Sequence, residues 1–222
     1  MIKAVFFDMN ETLLNLGLLK EKFDKYFNDD YAMKYWFTKL LHTSTIVGIM
    51  NDYRNFGELS EVVLESVFYE SGKELTQSAQ TDILGSFRKL PAYEDVVDAF
   101  KLLRDNGVRV ITLSNSSLTM IEEQLSNAGI IDLVDAYYSV DAVKTYKPFS
   151  DVYQYAADRE NLTADNIAMV ATHDWDLFGA KKAGFTTAYI KRKEVIFNPL
   201  YPNADINKKN LVDVVKEIIK IK

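Results

Sequence analysis

Five short apolar runs separated by helical patterns constrain the fold of this chain more than any other feature of it. The runs are Ile2–Phe7, Val108–Leu113, Ala136–Ser139, Ile167–Val170 and Thr186–Ile190. Most are rich in β-branched or aromatic residues, and each has the length of a buried strand. Alternating strands and helices are typical of a parallel sheet covered on both faces. The sequence therefore predicts an α/β fold with a Rossmann-like parallel sheet as its core.

Helical patterns follow most of these runs. They cover Asp95–Asn106, Leu118–Ala128, Phe149–Asn161 and Asp176–Ala183. Apolar residues recur in them at helical spacing, and several patterns are followed by Gly, which often stops a helix. Asp176 is the expected N-cap of the last of these helices.

The segment from about residue 17 to residue 90 interrupts the alternation. Its pattern is helical throughout, it is rich in aromatic residues, and no strand-like run bounded by turns occurs in it. Such runs are apolar enough to pack on one another. We therefore predict a helical cap over residues 15–90, inserted after the first strand, and a catalytic core formed by residues 1–14 and 91–222. A cap at this position would lie over the crevice at the end of the first strand and could exclude water from it.

Composition excludes several classes of protein. The chain has 222 residues, a formal charge of -6 and no cysteine. The charge argues against a nucleic-acid partner. The lack of cysteine excludes disulfides, thiolate metal sites and a cysteine nucleophile. The first apolar run is too short and too charged for a signal peptide or a membrane span. We expect a cytoplasmic protein that acts on a small molecule, without nucleic-acid or membrane partners.

Asp8 ends the first apolar run, at the edge of the sheet where open α/β folds bind their ligands. An unpaired carboxylate is costly inside a protein, so Asp8 cannot be a simple core residue. Asn10 and Thr12 in the following turn supply polar groups beside it. Asp8 is therefore a candidate nucleophile, and the alternative is an aspartate that caps a turn.

Three further loops carry polar residues that could meet Asp8. Ser114 and Asn115 follow the second strand at a predicted helix N-terminus, which suits an anion, although helix capping explains them as well. Lys147 precedes Pro148, which fits the first turn of a helix, and could lower the pKa of a carboxylate. His173 follows the fourth strand, where a functional residue and a space-filling one are equally compatible with the sequence.

Taken together, these segments resemble the haloacid dehalogenase superfamily over nearly the whole chain. In order they carry an aspartate after the first strand, Ser or Thr after the second, Lys before Pro, and acidic residues after the fourth. Type II (L-2-haloacid) dehalogenases are the most similar branch. The residues that match their pattern are Asp8, Thr12, Ser114, Asn115, Lys147, Tyr153 and Asp176.

This resemblance implies a metal-independent reaction. The carboxylate of Asp8 would displace halide from C2 of a short haloacid, and water would hydrolyse the resulting ester. Thr12, Lys147 and Asp176 would complete the catalytic set, and no cofactor is expected. The remaining site residues are expected to contact the substrate. They are Asn10, Phe37, Thr38, Ser114, Asn115, Tyr153 and His173.

The chain departs from that branch at three places. Thr38 stands where the family's Trp-x-Arg pattern has its halide-binding arginine. Losing that cation should remove roughly 1.5–3 kcal/mol of charge-assisted stabilisation. Asn10-Glu11 replaces Tyr-Gly after the nucleophile, and Ala171-Thr172-His173 replaces Ser-Ser-Asn. The sequence is equally compatible with a His173 that orients water for ester hydrolysis and one that only fills space.

Two alternative functions remain open from the sequence. One is a Mg²⁺-dependent phosphatase, with the ion held by Asp8 and Asp176, but Asn10 stands where phosphatases of the superfamily carry their acid/base aspartate. The other is a binding protein that keeps the fold without turnover. The aromatic residues of the cap could then form an interface, and a homodimer is also left open.

Overall fold

The computed structural model describes residues 1–221. Within that range it contains one six-stranded sheet in which all neighbouring strands are parallel, in the order β3-β2-β1-β4-β5-β6. The strands are β1 (Ala4–Phe7), β2 (Arg109–Ser114), β3 (Ala136–Ser139), β4 (Ile167–Ala171), β5 (Thr186–Ile190) and β6 (Ile206–Lys208). The predicted α/β class with a Rossmann-like parallel sheet is confirmed.

Helices flank the sheet, and four of them make up the segment between β1 and β2. They are α1 (Gly17–Tyr26), α2 (Ala32–Ile49), α3 (Phe56–Glu70), α4 (Gln77–Phe87), α5 (Val96–Asp105), α6 (Leu118–Asn127), α7 (Ser150–Glu160), α8 (Asp174–Lys182) and α9 (Leu211–Ile219). Helix α9 has its buried residues at helical spacing, with Asn210 at its N-cap. The sequence patterns did not predict α9 or β6.

Strand β1 lies in the middle of the sheet, between β2 and β4. All four of its residues are buried, which explains why its sequence is continuously apolar rather than alternating. Its last residue, Phe7, pairs with Thr112 on one side and with Val170 on the other. The loops that follow β1, β2 and β4 therefore leave the sheet side by side. Asp8 begins the first of these loops.

Helices α1 to α4 form the segment predicted as a cap. The chain enters and leaves it through two adjoining stretches: Leu14 pairs with Ala92, and Asn15 N donates to Pro91 O at 2.8 Å. Trp36 is fully buried among these helices, and its ring lies against Phe87. Division of the chain into two domains at residues 14/15 and 90/91 stays a prediction.

Two predicted helix starts need correction. Helix α7 begins at Ser150, so Pro148 lies two residues before it rather than in its first turn. Helix α8 begins at Asp174, and Asp176 is a fully buried residue of its first turn instead of its N-cap. A capping side chain would lie at the exposed helix end, whereas that of Asp176 is held inside by hydrogen bonds. The expected cap after β2 is present at Ser117, whose side chain accepts from Met120 N.

Candidate functional site

The carboxylate of Asp8 is held by three side chains from three different loops. Oδ1 accepts a hydrogen bond of 2.8 Å from Lys147 Nζ. Oδ2 accepts one of 2.7 Å from Thr12 Oγ1 and lies 2.9 Å from Nδ1 of His173. Burial alone would raise the pKa of Asp8, but the charges and hydrogen bonds of Lys147 and His173 outweigh it and lower that pKa. Asp8 is therefore an ionised carboxylate with little contact with solvent.

Lys147 links the nucleophile to the far side of the site. Its ammonium group donates to Asp8 Oδ1, to Leu113 O at 2.9 Å and to Asp176 Oδ2 at 2.7 Å, so all three protons are used. The residue is 1% exposed. Burial would lower the pKa of Lys147, but the two carboxylates raise it. A charged ammonium therefore lies between two buried acids.

The structure places Tyr153 behind Asp176 rather than on the wall of a cavity. Its hydroxyl donates a bond of 2.6 Å to Asp176 Oδ1, and both side chains are fully buried. Burial and the nearby Asp8 charge raise the pKa of Asp176 against the opposing effect of Lys147. Both carboxylate oxygens of Asp176 are thus occupied by donors. Tyr153 positions Asp176 here, and the substrate contact predicted for it stays a prediction.

Thr12 joins the loop after β1 to the loop after β4. Its hydroxyl donates to Asp8 and accepts a bond of 2.9 Å from Thr172 N. This fixes the direction of the proton on Thr12, so the hydroxyl can only be a donor to the nucleophile. The predicted place of Thr12 beside Asp8 is what the geometry shows.

His173 lies between two acids. Nδ1 is 2.9 Å from Asp8 Oδ2, and Nε2 is 3.1 Å from Glu11 Oε2. Burial would lower the pKa of His173, but the charges and hydrogen bonds of Asp8 and Glu11 raise it to about 9. His173 is therefore a cation at neutral pH. Its ring stacks on Trp175, with centroids 5.2 Å apart.

Glu11 is a site residue that the sequence analysis treated only as a departure from the family pattern. It has a positive φ of 65°, a conformation that favours glycine. Holding a non-glycine residue there costs about 1–3 kcal/mol unless its surroundings stabilise it. Glu11 also forms an ion pair with Lys193, which follows β5. A glutamate where the family has glycine was the signal that could have identified this residue.

Ser114 and Asn115, at the end of β2, form hydrogen bonds with different partners. Asn115 Oδ1 accepts a bond of 2.9 Å from Lys147 N, whereas its Nδ2 is buried and has no partner among residues 1–221. Ser114 Oγ accepts from Ser116 N at 3.1 Å. Asn115 therefore has an unsatisfied buried donor, and the hydroxyl of Ser114 is turned toward its own loop.

Asn10 belongs to a polar cluster separate from the one that holds the Asp8 carboxylate. Its Oδ1 accepts a bond of 3.2 Å from Gln124 Nε2, and its Nδ2 is 3.5 Å from Ser116 Oγ. Gln124 in turn donates to Phe87 O at 2.9 Å, so the cluster connects α6 to the end of α4. Asn10 is buried and does not line the cavity described next.

A cavity of about 610 Å³ lies between α2 and the carboxyl end of the sheet. Phe37 and Thr38 border it from α2, and His173 and Lys147 border it from the sheet side. Thr38 is exposed to it, and the Phe37 ring lies 6.2 Å from that of His173. Its other lining residues are Glu11, Lys34, Leu41, His42, Ser44, Thr45, Pro148, Thr172, Asp174, Trp175, Tyr189, Lys193, Val195 and Tyr201.

The residues present do not fit a Mg²⁺ ion. A metal shared by Asp8 and Asp176 would need the space between their carboxylates, and Lys147 Nζ occupies it at 2.8 and 2.7 Å. No group of three or more His, Asp or Glu side chains with metal-binding geometry occurs among residues 1–221. The cation between the two acids is the protein's own ammonium.

Among residues 1–221, no helix is long and apolar enough to cross a bilayer.

The family model of haloacid dehalogenase-like hydrolases matches residues 2–184. The chain belongs to this hydrolase family. Among curated relatives, the hydrolase is 29% identical over 206 residues to (S)-2-haloacid dehalogenase from Pseudomonas sp. strain YL, covering 92% of this chain and 89% of that protein. It is 25% identical over 207 residues to haloacetate dehalogenase H-2 from Moraxella sp. strain B, covering 92% of each.

Solved structures of the same kind share the fold of this haloacid dehalogenase-like hydrolase. The L-2-haloacid dehalogenase from Xanthobacter autotrophicus superposes with a TM-score of 0.91 over the full length of both chains, at 24% identity. The same enzyme with chloropropionic acid covalently bound also gives 0.91, at 23% identity. The predicted superfamily is thus confirmed, and the predicted fold with it.

Proposed function

We propose that this hydrolase is an (S)-2-haloacid dehalogenase in which Asp8 attacks C2 of a short 2-haloacid. The observation that carries the proposal is the state of Asp8: a buried, ionised carboxylate paired with the Lys147 ammonium. Displacement of halide needs a nucleophile that is charged and poorly solvated, because water would otherwise stabilise the ground state. The curated relatives described above act on 2-haloacids and haloacetate, which supports the same substrate class here.

The reaction would proceed in two steps. An Asp8 oxygen forms a bond to C2 while the carbon–halogen bond breaks, and the halide leaves with the electron pair. The product is an ester between Asp8 and the acid. Water then adds to Cγ of Asp8, the bond from Cγ to the bridging oxygen breaks, and a 2-hydroxy acid leaves. Asp8 regains its carboxylate, and one proton is released with the halide.

Substrate binding would use donors that the protein leaves free. The Nδ2 group of Asn115 is buried without a partner among residues 1–221, and a carboxylate oxygen would satisfy it. Lys34 lies one turn before Thr38 on α2, and both line the cavity. Lys34 would therefore supply positive charge on the side where the family's arginine is missing. Phe37 would add an apolar wall near the leaving halide.

Phosphatase activity is less compatible with this site. Asn10 cannot act as a proton donor and acceptor in catalysis, and it is engaged with Gln124 at 3.2 Å. Lys147 occupies the space that a bridging metal would need.

No cofactor is included in the proposal. A homodimer and a cytoplasmic location stay predictions from the sequence.

The proposal is tested by halide release from (S)-2-chloropropionate. Wild type should release chloride and (R)-lactate, because displacement at C2 inverts its configuration. Asp8→Asn should lose the activity, while the matched control Asp105→Asn, at an exposed helix end, should keep it. In a single turnover in H₂¹⁸O, the heavy oxygen should enter Asp8 rather than the lactate. Absence of chloride release from every short 2-haloacid, or equal release by Asp8→Asn, would contradict the proposal.

A further inference from the structure

Both ring nitrogens of His173 face carboxylate oxygens, Asp8 at 2.9 Å and Glu11 at 3.1 Å. A neutral imidazole has one donor and one acceptor, so one of its nitrogens would point a lone pair at a carboxylate. The geometry is satisfied only when both nitrogens carry protons. In the resting site His173 is therefore a cation and cannot accept a proton.

The charged groups around His173 are balanced in this resting state. Asp8 reaches it from the end of β1 and Glu11 from the same loop. Together with Asp176 they carry three negative charges, which Lys147, Lys193 and His173 itself balance. Phe37 on α2 and Trp175 on α8 cover the ring and carry no charge. Glu11 and Asp8 are thus the two groups that decide whether the ring is protonated.

Ester formation would change one of these two groups. The ester has no negative charge, so Asp8 would no longer stabilise the proton on Nδ1. That proton would leave to solvent as the acid released with the halide. Nδ1 would then present its lone pair beside the ester, at the edge of a cavity that His173 and Thr172 line. Nε2 would stay protonated and donate to Glu11.

Asp176 is badly placed for the same task. It is fully buried, its Oδ1 accepts from Tyr153 at 2.6 Å and its Oδ2 accepts from Lys147 at 2.7 Å. A water molecule would have to displace one of these donors to reach it. His173 is 12% exposed at its side chain and lies on the cavity wall. Water in the cavity can therefore reach His173 but not Asp176.

We propose that His173 is the general base for hydrolysis of the Asp8 ester, with Glu11 as the residue that positions it. This inference rests on the proposed dehalogenase function. In the step, the water oxygen bonds to Cγ of Asp8 and its proton passes to Nδ1 of His173. The bond between Cγ and the bridging oxygen then breaks, and Nδ1 returns the proton to that oxygen. The 2-hydroxy acid leaves, and the second proton of the water passes from the Asp8 carboxyl group to Nδ1, which restores both the Asp8 carboxylate and the imidazolium of the resting site.

The backbone of Glu11 supports this assignment. Glu11 has a left-handed backbone conformation, which favours glycine. Its buried carboxylate contacts His173 and Lys193. Strained non-glycine residues of this kind are concentrated at active sites, where the surrounding contacts hold them in place. The nucleophile, the ring and the acid form one chain of contacts, which is the arrangement that activates water or a hydroxyl in other covalent hydrolases.

The test separates the two chemical steps with (S)-2-chloropropionate in a rapid-quench experiment. His173→Gln should release one equivalent of chloride per enzyme in the first turnover, as wild type does. Its steady-state turnover should then be about 10²- to 10⁴-fold slower, the usual effect of removing a general base. Mass spectrometry should find the ester on the peptide that contains Asp8.

The outcomes distinguish this inference from the function on which it rests. No chloride from wild type would overturn both. Chloride release by wild type, with His173→Gln turning over within threefold of it and no trapped ester, would overturn only the role of His173. Loss of the first-turnover chloride in His173→Gln would also overturn it, because the residue would then act before the ester exists.

Glu11→Gln tests the positioning role by its pH profile and decides alone if His173→Gln does not fold. Without the Glu11 charge, the histidine in the ester state should lose its proton more easily. The acid limb of kcat should therefore move to lower pH, and kcat at neutral pH should change less than in His173→Gln. Glu194→Gln, an exposed acid paired with Lys191, is the matched control and should leave the limb in place. An unshifted limb in Glu11→Gln would overturn the assignment.

Discussion

The ammonium group of Lys147 lies 2.8 Å from the carboxylate of Asp8, and both side chains are almost completely buried. This pair differs from a surface salt bridge because, when one partner is removed, the charge of the other stays buried and is not solvated by water. Asp176 shares the same ammonium, so three charged groups depend on one another. The nucleophile, the cation and the second acid are therefore one structural unit.

Replacing Lys147 by methionine should both inactivate and destabilise the enzyme. Two carboxylates would remain buried without their cation, and removing one partner of a buried pair costs about 3–5 kcal/mol. Urea unfolding at pH 7 measures this free energy. Lys181→Met is the matched control, because the Lys181–Asp205 pair is 31% and 44% exposed and should contribute less than about 1 kcal/mol. Similar losses in the two variants would contradict the expectation.

The protonated state of His173 predicts a pH dependence of stability. Its folded pKa of about 9 lies above the unfolded value of 6.5. The stabilisation is therefore complete below about pH 6.5 and is lost as pH rises through 9, and its upper size is roughly 3 kcal/mol. Free energies of unfolding for wild type and His173→Gln should converge between pH 6.5 and 9.5. A difference that stays constant over this range would show that the ring is neutral in the folded state.

Tyr153→Phe should reduce halide release and lower stability without changing the fold. The variant removes the donor to Asp176 Oδ1, and an unsatisfied buried acceptor costs about 1–3 kcal/mol. Tyr155→Phe is a suitable comparison, because that ring packs on Tyr138 without sharing a buried acid. Thermal unfolding and initial rates of chloride release measure both effects. Equal behaviour of the two variants would argue against a positioning role for Tyr153.

Thr38→Arg should accelerate formation of the ester. The new guanidinium would enter the cavity near Phe37 and stabilise the departing halide by roughly 1.5–3 kcal/mol, which corresponds to about 10- to 100-fold in rate. The first-turnover rate of chloride release is the measurement. Thr43→Arg places the same charge on α2 outside the cavity lining and should have no such effect. A slower burst in Thr38→Arg would show that the halide leaves in another direction.

Much of the site could be predicted because parallel strands end at one edge of a sheet. Asp8 follows β1 and His173 follows β4, so the topology alone brings their loops together. The direction of individual side chains could not be predicted in the same way. Asp176 was expected at a helix end, and its inward direction depends on hydrogen bonds to Lys147 and Tyr153 from distant parts of the chain.

Other features had weak or misleading signals in the sequence. Strand β6 has three residues, two of them polar, and lies at the sheet edge, so it lacks the apolar run that identified the other strands. Lys193 belongs to a short basic run that looks like solvated surface. Glu11 required knowledge of a positive φ, which arises from the turn after Asp8 and not from any local preference of glutamate.

The contact between Glu11 and His173 has an evolutionary consequence. An acid at position 11 without the imidazolium would bring a second negative charge close to Asp8. A histidine at position 173 without the acid would lose one of the two partners that orient its ring. Neither substitution is favourable by itself, so a lineage should acquire or lose them together. In an alignment of relatives, we expect the two positions to covary, with glycine at the first wherever histidine is absent from the second.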